Sequence, residues 1–376
     1  VVGNNIANSQ TVGFKGSGAQ FADVYAGAQV GQGVRVSTVL QDFSNGTLES
    51  TGRNLDLGIN GNGFFRFTQG DQTVYSRNGQ LTLTADGYLE NAQGARLFPA
   101  GVGTGGQPET LQVPAGAMAA TATDQVEASF NLDATVDEID RGATPFDAAD
   151  GDTYSYANTG TAYDSLGVQH TMTTYFTKIG ENQWEVRVSL DGNADATNVG
   201  QLAFNGNGTL DEGASTFPDY AFTPGGGADP MNFGIDFDGT TQFGEDFALD
   251  SLTQNGYASG SLVGIAFDEV GNIVGNYSNE QSQVLGTIAL ANFRNPEGLQ
   301  PEGDNAWTET GASGQPLLGL AGAGQFGSLE AGTVETSNVD LTSELVDLIV
   351  AQRNYQANTQ TIKVQDEVLQ SAVNLR

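Results

Sequence analysis

Few side chains of the kinds that carry out chemistry are present in this chain. Its 376 residues include one histidine, His170, and no cysteine. The lack of cysteine excludes a disulfide, a thiolate metal site and a cysteine nucleophile. His170 has the strand parity of Val168 and Met172, which favours a half-buried structural histidine over a catalytic or metal-binding one. The 45 Asp and Glu residues could supply a glycosidase-like carboxylate pair, but no spacing selects one.

Two further motifs were weighed as sites, and both are interpreted as turns. Asp236-Phe237-Asp238-Gly239 is similar to the start of a calcium loop, but the sixth and twelfth positions hold Thr241 and Phe247 instead of Gly and Glu. Gly58-x-x-Gly61-x-Gly63 has the glycines of a phosphate loop without its lysine or a following helix. We therefore expect no catalytic residue, no metal and no cofactor.

The charge of the chain limits its partners. There are 13 Lys and Arg against 45 Asp and Glu, a net charge of −32, which argues against binding to nucleic acid or anionic lipid. Residues 134–272 hold 22 acidic and 3 basic residues, so the middle of the chain is predicted to be a strongly solvated, surface-exposed block. No run of 18 apolar residues exists, so we expect no membrane insertion.

Short β-strands separated by turns dominate the sequence up to about Glu335. Val34, Val36 and Thr38 alternate with polar residues, as in a half-buried strand. Asn78-Gly79 is a strong signal for a two-residue hairpin turn, and Asp191-Gly192 marks another reversal. The pattern predicts antiparallel meanders.

The ends of the chain differ from the middle and predict a nested architecture. We expect a mainly β protein with two antiparallel β domains and discontinuous terminal α-helices that form a coiled-coil layer. The predicted domains are a terminal helical domain with its connector (1–50 and 338–376), an inner β domain (51–133 and 273–337) and an outer acidic β domain (134–272).

The C-terminal 39 residues, from Asn338 to Arg376, contain no Gly or Pro and predict one long helix. Steps of three and four residues mark a seam along it. Its residues are Leu345, Leu348, Gln352, Tyr355, Thr359, Ile362, Asp366, Leu369 and Val373. A helical stripe is usually a core face, but this helix is longer than one small β domain can cover, and its polar side is rich in uncharged amides. These features favour packing against other protein molecules.

Both ends carry motifs of a known family. The run from Asn4 to Lys15 (NNIANSQTVGFK) resembles the N-terminal signature of the flagellar rod, hook and hook-associated axial proteins. Phe21–Gly27, Gly63–Phe65, Tyr75–Gly79 and Gly275–Gln281 are similar to the hook branch of that family, as are Glu335–Leu341 and Leu345–Gln365. The likeness is weak from 134 to 272. The family's N-terminal helix begins about one helix length upstream of Val1, so the N-terminus is expected to be truncated.

The resemblance implies a structural subunit of the flagellar hook. Such subunits are exported by the type III apparatus and polymerise outside the cell into a curved hollow tube that passes motor torque to the filament. The implied partners are further copies of the chain, the distal rod, the hook cap and the hook–filament junction proteins. The expected subunit-interface residues are Asn4, Asn5, Ile6, Asn8, Gly13, Phe14, Lys15, Leu345, Leu348, Gln352, Tyr355, Ile362 and Leu369.

One alternative from a different class stays open on the sequence alone. The chain could be a secreted acidic β-domain binding protein, or a carbohydrate-active enzyme, with a helical oligomerisation tail. The two hypotheses differ in what the helix and the carboxylates do. A structural subunit loses assembly when the helix is removed, whereas an enzyme loses activity when one particular carboxylate is replaced.

Overall fold

The computed structural model describes residues 1–24, 33–98, 112–114 and 116–374. Within them the chain forms two compact units. The first unit consists of Val1–Ala115, Val263–Asn276 and Ser282–Arg376, and the second of Gly116–Leu262 and Tyr277–Gln281. The first unit is thus assembled from both ends of the chain. Motif residues 25–27 and the last two residues of the predicted helix lie outside the described residues.

The chain begins with a short helix and continues into strands of the first unit. Helix α1 spans Val2–Ala7. The strands that follow are β1 (Ser17–Asp23), β2 (Val34–Gln41), β3 (Leu48–Ser50), β4 (Leu57–Asn60), β5 (Phe64–Gln69), β6 (Gln72–Ser76), β7 (Thr82–Leu83), β8 (Leu89–Glu90) and β9 (Arg96–Leu97).

The second unit contains a meander and a mixed sheet. Its strands are β10 (Gln125–Asp133), β11 (Tyr156–Tyr163), β12 (Gln169–Gly180), β13 (Gln183–Leu190), β14 (Asn193–Ala203), β15 (Tyr220–Phe222), β16 (Met231–Asp236), β17 (Thr241–Phe243) and β18 (Ala248–Gln254), with a turn of 3-10 helix at Gly151–Thr153. Strands β11 to β14 pair in sequence order. Strand β10 pairs antiparallel with β18 and parallel with β16 and β17.

The return of the chain completes the first unit. Its elements are β19 (Leu262–Phe267), β20 (Asn272–Tyr277), β21 (Ser282–Thr287), β22 (Ala289–Asn292), β23 (Gln300–Gly303), β24 (Ala306–Thr308), β25 (Leu317–Leu320), β26 (Ser328–Ala331), β27 (Thr333–Glu335) and helix α2 (Leu341–Asn374), with a 3-10 turn at Pro296–Gly298. Strands β22 to β25 join β5 to β9 in a nine-stranded sheet, and β26 and β27 pair with β4 and β3.

Each unit has its own apolar core. In the first, Phe64, Tyr75, Phe293 and Trp307 are buried together, with their rings in edge-to-face contact. In the second, alternate residues of the meander face the core. The largest buried side chains of this core are Phe130, Phe176, Trp184, Tyr220, Phe233 and Phe237. These patterns explain why the strands form, since each buries one face against the other sheet.

The fold is mainly β with antiparallel sheets, as the sequence indicates, but several local expectations differ. Strand β2 forms but is exposed along most of its length, because among the described strands it pairs with β1 alone. The β5–β6 hairpin reverses at Gly70 and Asp71 rather than at Asn78-Gly79. Beyond β6, Arg77 turns inward and Gly79 accepts a hydrogen bond from the Leu57 amide. The reversal at Asp191-Gly192 is confirmed, with both residues at positive φ.

The division into units also differs from the predicted domain boundaries. Residues 116–133 group with the second unit, because β10 is hydrogen-bonded to three strands of that unit. The predicted terminal domain, 1–50 with 338–376, groups with the inner strands in one unit. The sequence predicted antiparallel sheets only, whereas β10 pairs in parallel with β16 and β17. Hydropathy patterning does not show the direction of a strand, so these parallel pairs could not be predicted.

Candidate subunit interface

A buried ion cluster joins three distant parts of the first unit at the base of the long helix. Glu335 ends β27 and is 1% exposed. Its carboxylate accepts hydrogen bonds from Lys15 Nζ at 2.8 Å, Arg77 Nε at 2.5 Å and the Gly46 amide at 2.7 Å. The N-terminal segment, the segment after β6 and the entry to α2 therefore meet at one side chain.

The Arg77 guanidinium donates hydrogen bonds to backbone carbonyl oxygens as well as to the Glu335 carboxylate. Its guanidinium donates to the carbonyl oxygens of Gly61 and Gly63 at 2.9 and 2.6 Å, and to that of Ile59 at 3.2 Å. It also donates to the Asn45 side chain at 3.1 Å. A planar fork with five donors suits this site in a way that the single ammonium of a lysine would not. We infer that Arg77 holds the strand ends around the cluster in a fixed arrangement.

The cations Arg77 and Lys15 keep the Glu335 carboxylate charged in the folded protein. Burial alone would raise the pKa of Glu335, but the hydrogen bond and positive charge of Arg77, supported by Lys15, hold its pKa below the usual value. Lys15 also donates to the Ser44 carbonyl at 2.6 Å. The carboxylate is thus ionised in the folded protein at neutral pH.

Gly13 allows the N-terminal segment to reach this cluster. Its amide donates to the Glu335 carbonyl at 2.8 Å, and its φ is +69°. A Cβ atom at this position would lie 2.6 Å from the Asn78 nitrogen. Only glycine combines the left-handed conformation with so close an approach of two backbones.

Helix α1 is anchored to the start of α2 by side-chain amides. The Asn5 amide donates to the Glu344 carboxylate at 2.7 Å and to the Ser17 carbonyl at 2.8 Å, while its oxygen accepts from the Ser17 amide. Asn338 accepts from the Gly16 amide at 2.8 Å. The N-terminal signature thus serves contacts within the chain at this position.

Helix α2 begins with an N-terminal cap and then leaves the rest of its unit. The Asp340 carboxylate accepts from the amides of Thr342 and Ser343, as an N-cap does. Among the described side chains of the helix, from Leu341 to Ser371, all are exposed except Glu344 and Leu348, which are partly buried. The helix predicted from the sequence is confirmed, and nearly all of its surface is free.

The predicted seam, here called stripe A, lies along one side of this free surface. Its apolar members are Leu345, Leu348, Tyr355, Ile362 and Leu369, with Gln352 between them. Tyr355 is 75% exposed and Ile362 63%. The side chain of the further seam residue Val373 lies outside those that the structure describes.

A second apolar stripe, missed in the sequence analysis, runs along α2. Stripe B consists of Val346, Val350, Ala357, Val364 and Val368, and its last three members line one shallow groove. At 3.6 residues per turn, stripe B lies about 180° from stripe A around the helix axis. Its steps of four and seven residues are visible in the sequence, beside the seam that forms stripe A.

Polar residues separate the two stripes. One side carries the polar residues Gln356, Lys363 and Glu367 together with the exposed Ile349, and the other carries Asp347, Asn358 and Gln365. An isolated helix in water has no reason to be apolar on two opposite sides. A helix that packs between two neighbouring helices can bury both apolar stripes, because each neighbour covers one of them.

The expected interface residues fall into two groups. Asn5, Gly13, Phe14 and Lys15 are buried within their own unit and contribute to the internal junction, while their part in contact between subunits stays a prediction. The remaining residues are exposed or partly buried: Asn4, Ile6, Asn8, Leu345, Leu348, Gln352, Tyr355, Ile362 and Leu369.

In the second unit, His170 and the motif at Asp236–Gly239 make hydrogen bonds within the fold. His170 is buried, and its Nδ1 and Nε2 lie 2.6 and 3.3 Å from carboxylate oxygens of Asp191 and Asp164. Burial would lower the pKa of His170, but the two aspartates raise it above the usual value. Asp236 and Asp238 lie in a surface turn. No cluster of three or more possible metal ligands occurs among the described residues.

In the part of the chain that the structure describes, no helix has both the length and the apolar character needed to cross a membrane.

Three family models define the class of this protein. Residues 58–133 match the flagellar hook protein FlgE/F/G D1 domain, 131–257 the flagellar basal body protein FlaE D2 domain, and 330–375 the flagellar basal body rod FlgEFG protein C-terminal region. The first and last of these regions include β4 to β10 and α2. The fold is thus that of a flagellar axial protein with both ends in one unit.

Similar proteins narrow the class to one family. The chain is 46% identical to the flagellar hook protein FlgE of Escherichia coli (strain K12) over 100% of this chain and 96% of that protein. It is 33% identical to that of Borreliella burgdorferi, covering 100% and 95%. The chain belongs to the flagellar hook protein FlgE family. The crystal structure of Helicobacter pylori FlgE2 shares its fold, with a TM-score of 0.56 at 14% identity over 77% of this chain and 100% of that one.

Proposed function

We propose that this chain is a structural subunit of the flagellar hook, located outside the cell, which polymerises with copies of itself and passes torque from motor to filament. The observation that carries this proposal is the pair of opposite apolar stripes on α2. Membership of the hook protein family supports it. The distal rod, the hook cap and the hook–filament junction proteins are proposed as the neighbours at the ends of the polymer.

The two stripes suggest how α2 packs. A helix in a two-stranded coiled coil needs one apolar seam. A helix in a closed layer of helices has a neighbour on each side, so it needs two seams on opposite sides, with polar faces toward the lumen and the outer layer. Stripes A and B meet this need. We therefore propose that α2 lies in a layer one helix thick that lines the tube, and that it contacts two neighbouring helices in that layer.

The buried cluster around Glu335 supports the mechanical part of the proposal. A subunit that passes torque must join its helix firmly to its β unit. Lys15, Arg77 and Glu335 make that joint with charge-assisted hydrogen bonds between three chain segments. We propose that this joint, rather than a catalysed reaction, is the functional use of the charged residues in the first unit.

Assembly of matched variants tests the proposal. Ile362→Ser changes stripe A, Val364→Ser changes stripe B, and Gln356→Ser changes a polar side away from the groove and serves as the control. Burial of a Val or Ile side chain contributes about 1.5–3 kcal/mol, so each stripe variant should raise the critical concentration for tube formation roughly tenfold or more. Sedimentation of polymer and electron microscopy of tubes supply the measurements.

The pattern of outcomes separates the alternatives. Normal tubes from Val364→Ser with failure of Ile362→Ser would mean that the helix has one neighbour, which contradicts the layer. Normal assembly of both stripe variants would refute the role of α2. Absence of any polymer from the unchanged chain would refute the proposed function itself.

A further inference from the structure

Outside the stripes of α2 the first unit exposes further apolar side chains, and two of these surfaces can form a contact between copies. The first is the ribbon, defined as β1 with β2. Phe21, Val34, Val36 and Val39 of the ribbon are 65, 66, 56 and 51% exposed. The second is the outer edge of the nine-stranded sheet at β25, where Leu317, Leu318 and Leu320 are 46, 50 and 47% exposed.

The ribbon is poorly stabilised by the contacts it makes in its own unit. It is a two-stranded sheet, and neither strand pairs with any other described strand. Its base is held where the Gln41 side chain contacts Trp307 and the Lys15 carbonyl. Beyond that base, Phe21 and Val36 form a cross-strand pair open to solvent. Two strands alone are marginal in water, so this ribbon gains stability from a surface that covers it.

Strand β25 is an open edge of the kind that accepts another strand. It pairs with β22 on one side, and no described strand pairs with it on the other. An exposed apolar edge is usually blocked by charge or proline within the strand. Here residues 315–327 contain no charged residue, and the one proline, Pro316, precedes the strand.

Charge favours a meeting of these two surfaces. The chain carries a net charge of −32, so two copies repel each other over most of their surface. The described strands of the ribbon hold one acidic and one basic residue, Asp23 and Arg35. The β25 edge holds none. These are therefore surfaces through which two copies approach without like-charge repulsion.

We propose that the free edge of β2 in one copy adds to the free edge of β25 in a second copy of this chain, extending the nine-stranded sheet. Strand addition satisfies open backbone groups and covers side chains on both surfaces. The two surfaces are different, so the contact is heterologous, and a contact of that type propagates from copy to copy instead of closing as a pair. This inference rests on the proposed polymer function and adds a contact outside the helices.

Because the chain has no cysteine, cross-linking offers a clean test. Val36→Cys with Leu318→Cys in one chain places a thiol on each surface. Val36→Cys with Leu83→Cys is the matched control, since Leu83 lies in β7, a different edge strand of the same sheet, and is 40% exposed. Each single variant is included, and thermal unfolding confirms that all variants fold. A short bismaleimide is added to sedimented polymer, and products are separated on a denaturing gel.

We expect a ladder of dimers, trimers and longer products from the Val36/Leu318 variant, and at least a tenfold lower yield from the control and single variants. Dimers from either single variant would show that like surfaces meet and would overturn the heterologous contact. Tubes without a ladder would overturn this inference and leave the proposed function standing. A ladder without tubes would support the contact and refute the proposed function, and absence of both would refute both.

Discussion

Replacement of Glu335 by glutamine tests the joint between the helix and its β unit. The substitution keeps the shape of the side chain but leaves two buried cations, Lys15 and Arg77, without their shared anion. Loss of one partner from a buried ion pair costs about 3–5 kcal/mol. Arg77 retains three backbone carbonyls and Lys15 retains one. We therefore expect the lower part of that range, about 3 kcal/mol.

Calorimetry at neutral pH measures this loss. For a unit of this size each kcal/mol lowers the unfolding midpoint by about 2–4 °C, so the transition of the first unit should fall by roughly 6–12 °C. The transition of the second unit should not move. Glu330→Gln is the control, because Glu330 accepts an exposed hydrogen bond from Asn60 in the same unit, and its effect should stay within about 0.5 kcal/mol.

The pH dependence supplies a second criterion. The folded-state pKa of Glu335 is lowered, so its contribution is fully present above the unfolded value of about 4.3 and is lost as pH falls through the folded value. The difference between the parent protein and Glu335→Gln should be constant from neutral pH to about pH 5 and should shrink below pH 4. A difference below 0.5 kcal/mol at pH 7 would refute the account of the cluster.

Three further variants test other parts of the structure. His170→Asn should destabilise the second unit more at pH 5.5 than at pH 9, because the raised pKa means that its stabilisation is present at low pH and lost as pH rises through the folded value; equal losses at both pH values in thermal unfolding would contradict the ion pairing. Gly13→Ala should destabilise the first unit by more than about 1 kcal/mol, whereas Gly18→Ala, where a Cβ meets open space, should not; equal denaturation midpoints for the two would count against the close approach. Trp184→Phe should cost about 1–3 kcal/mol in urea unfolding, because it removes the buried 2.6 Å hydrogen bond to Gln242, and an unchanged urea midpoint would show that this bond contributes nothing.

The family motif at the N-terminus did not show which of its residues are buried inside the subunit and which are exposed. The N-terminal signature resembles that of a polymer-forming family, yet Asn5, Gly13 and Lys15 are buried within the subunit. A motif records that a residue type is required, but it does not say which molecule that residue contacts. Stripe B illustrates the opposite case, because its spacing of four and seven residues is a local pattern that the sequence itself contains.

Local patterns alone predicted the elements whose stability is local. Helix α2 follows from a glycine-free and proline-free run, and the Asp191-Gly192 turn follows from residues that tolerate positive φ. Backbone propensity and periodicity act over a few residues, so such elements can be recognised without tertiary information.

Only the tertiary structure decided which distant segments meet. Lys15 and Glu335 are 320 positions apart, and nothing in the local sequence of either one names the other. The same holds for the parallel pairing of β10 with β16 and β17. Contacts of this kind depend on how whole sheets pack and on which buried charge can be neutralised, and both are set by the three-dimensional arrangement of the chain.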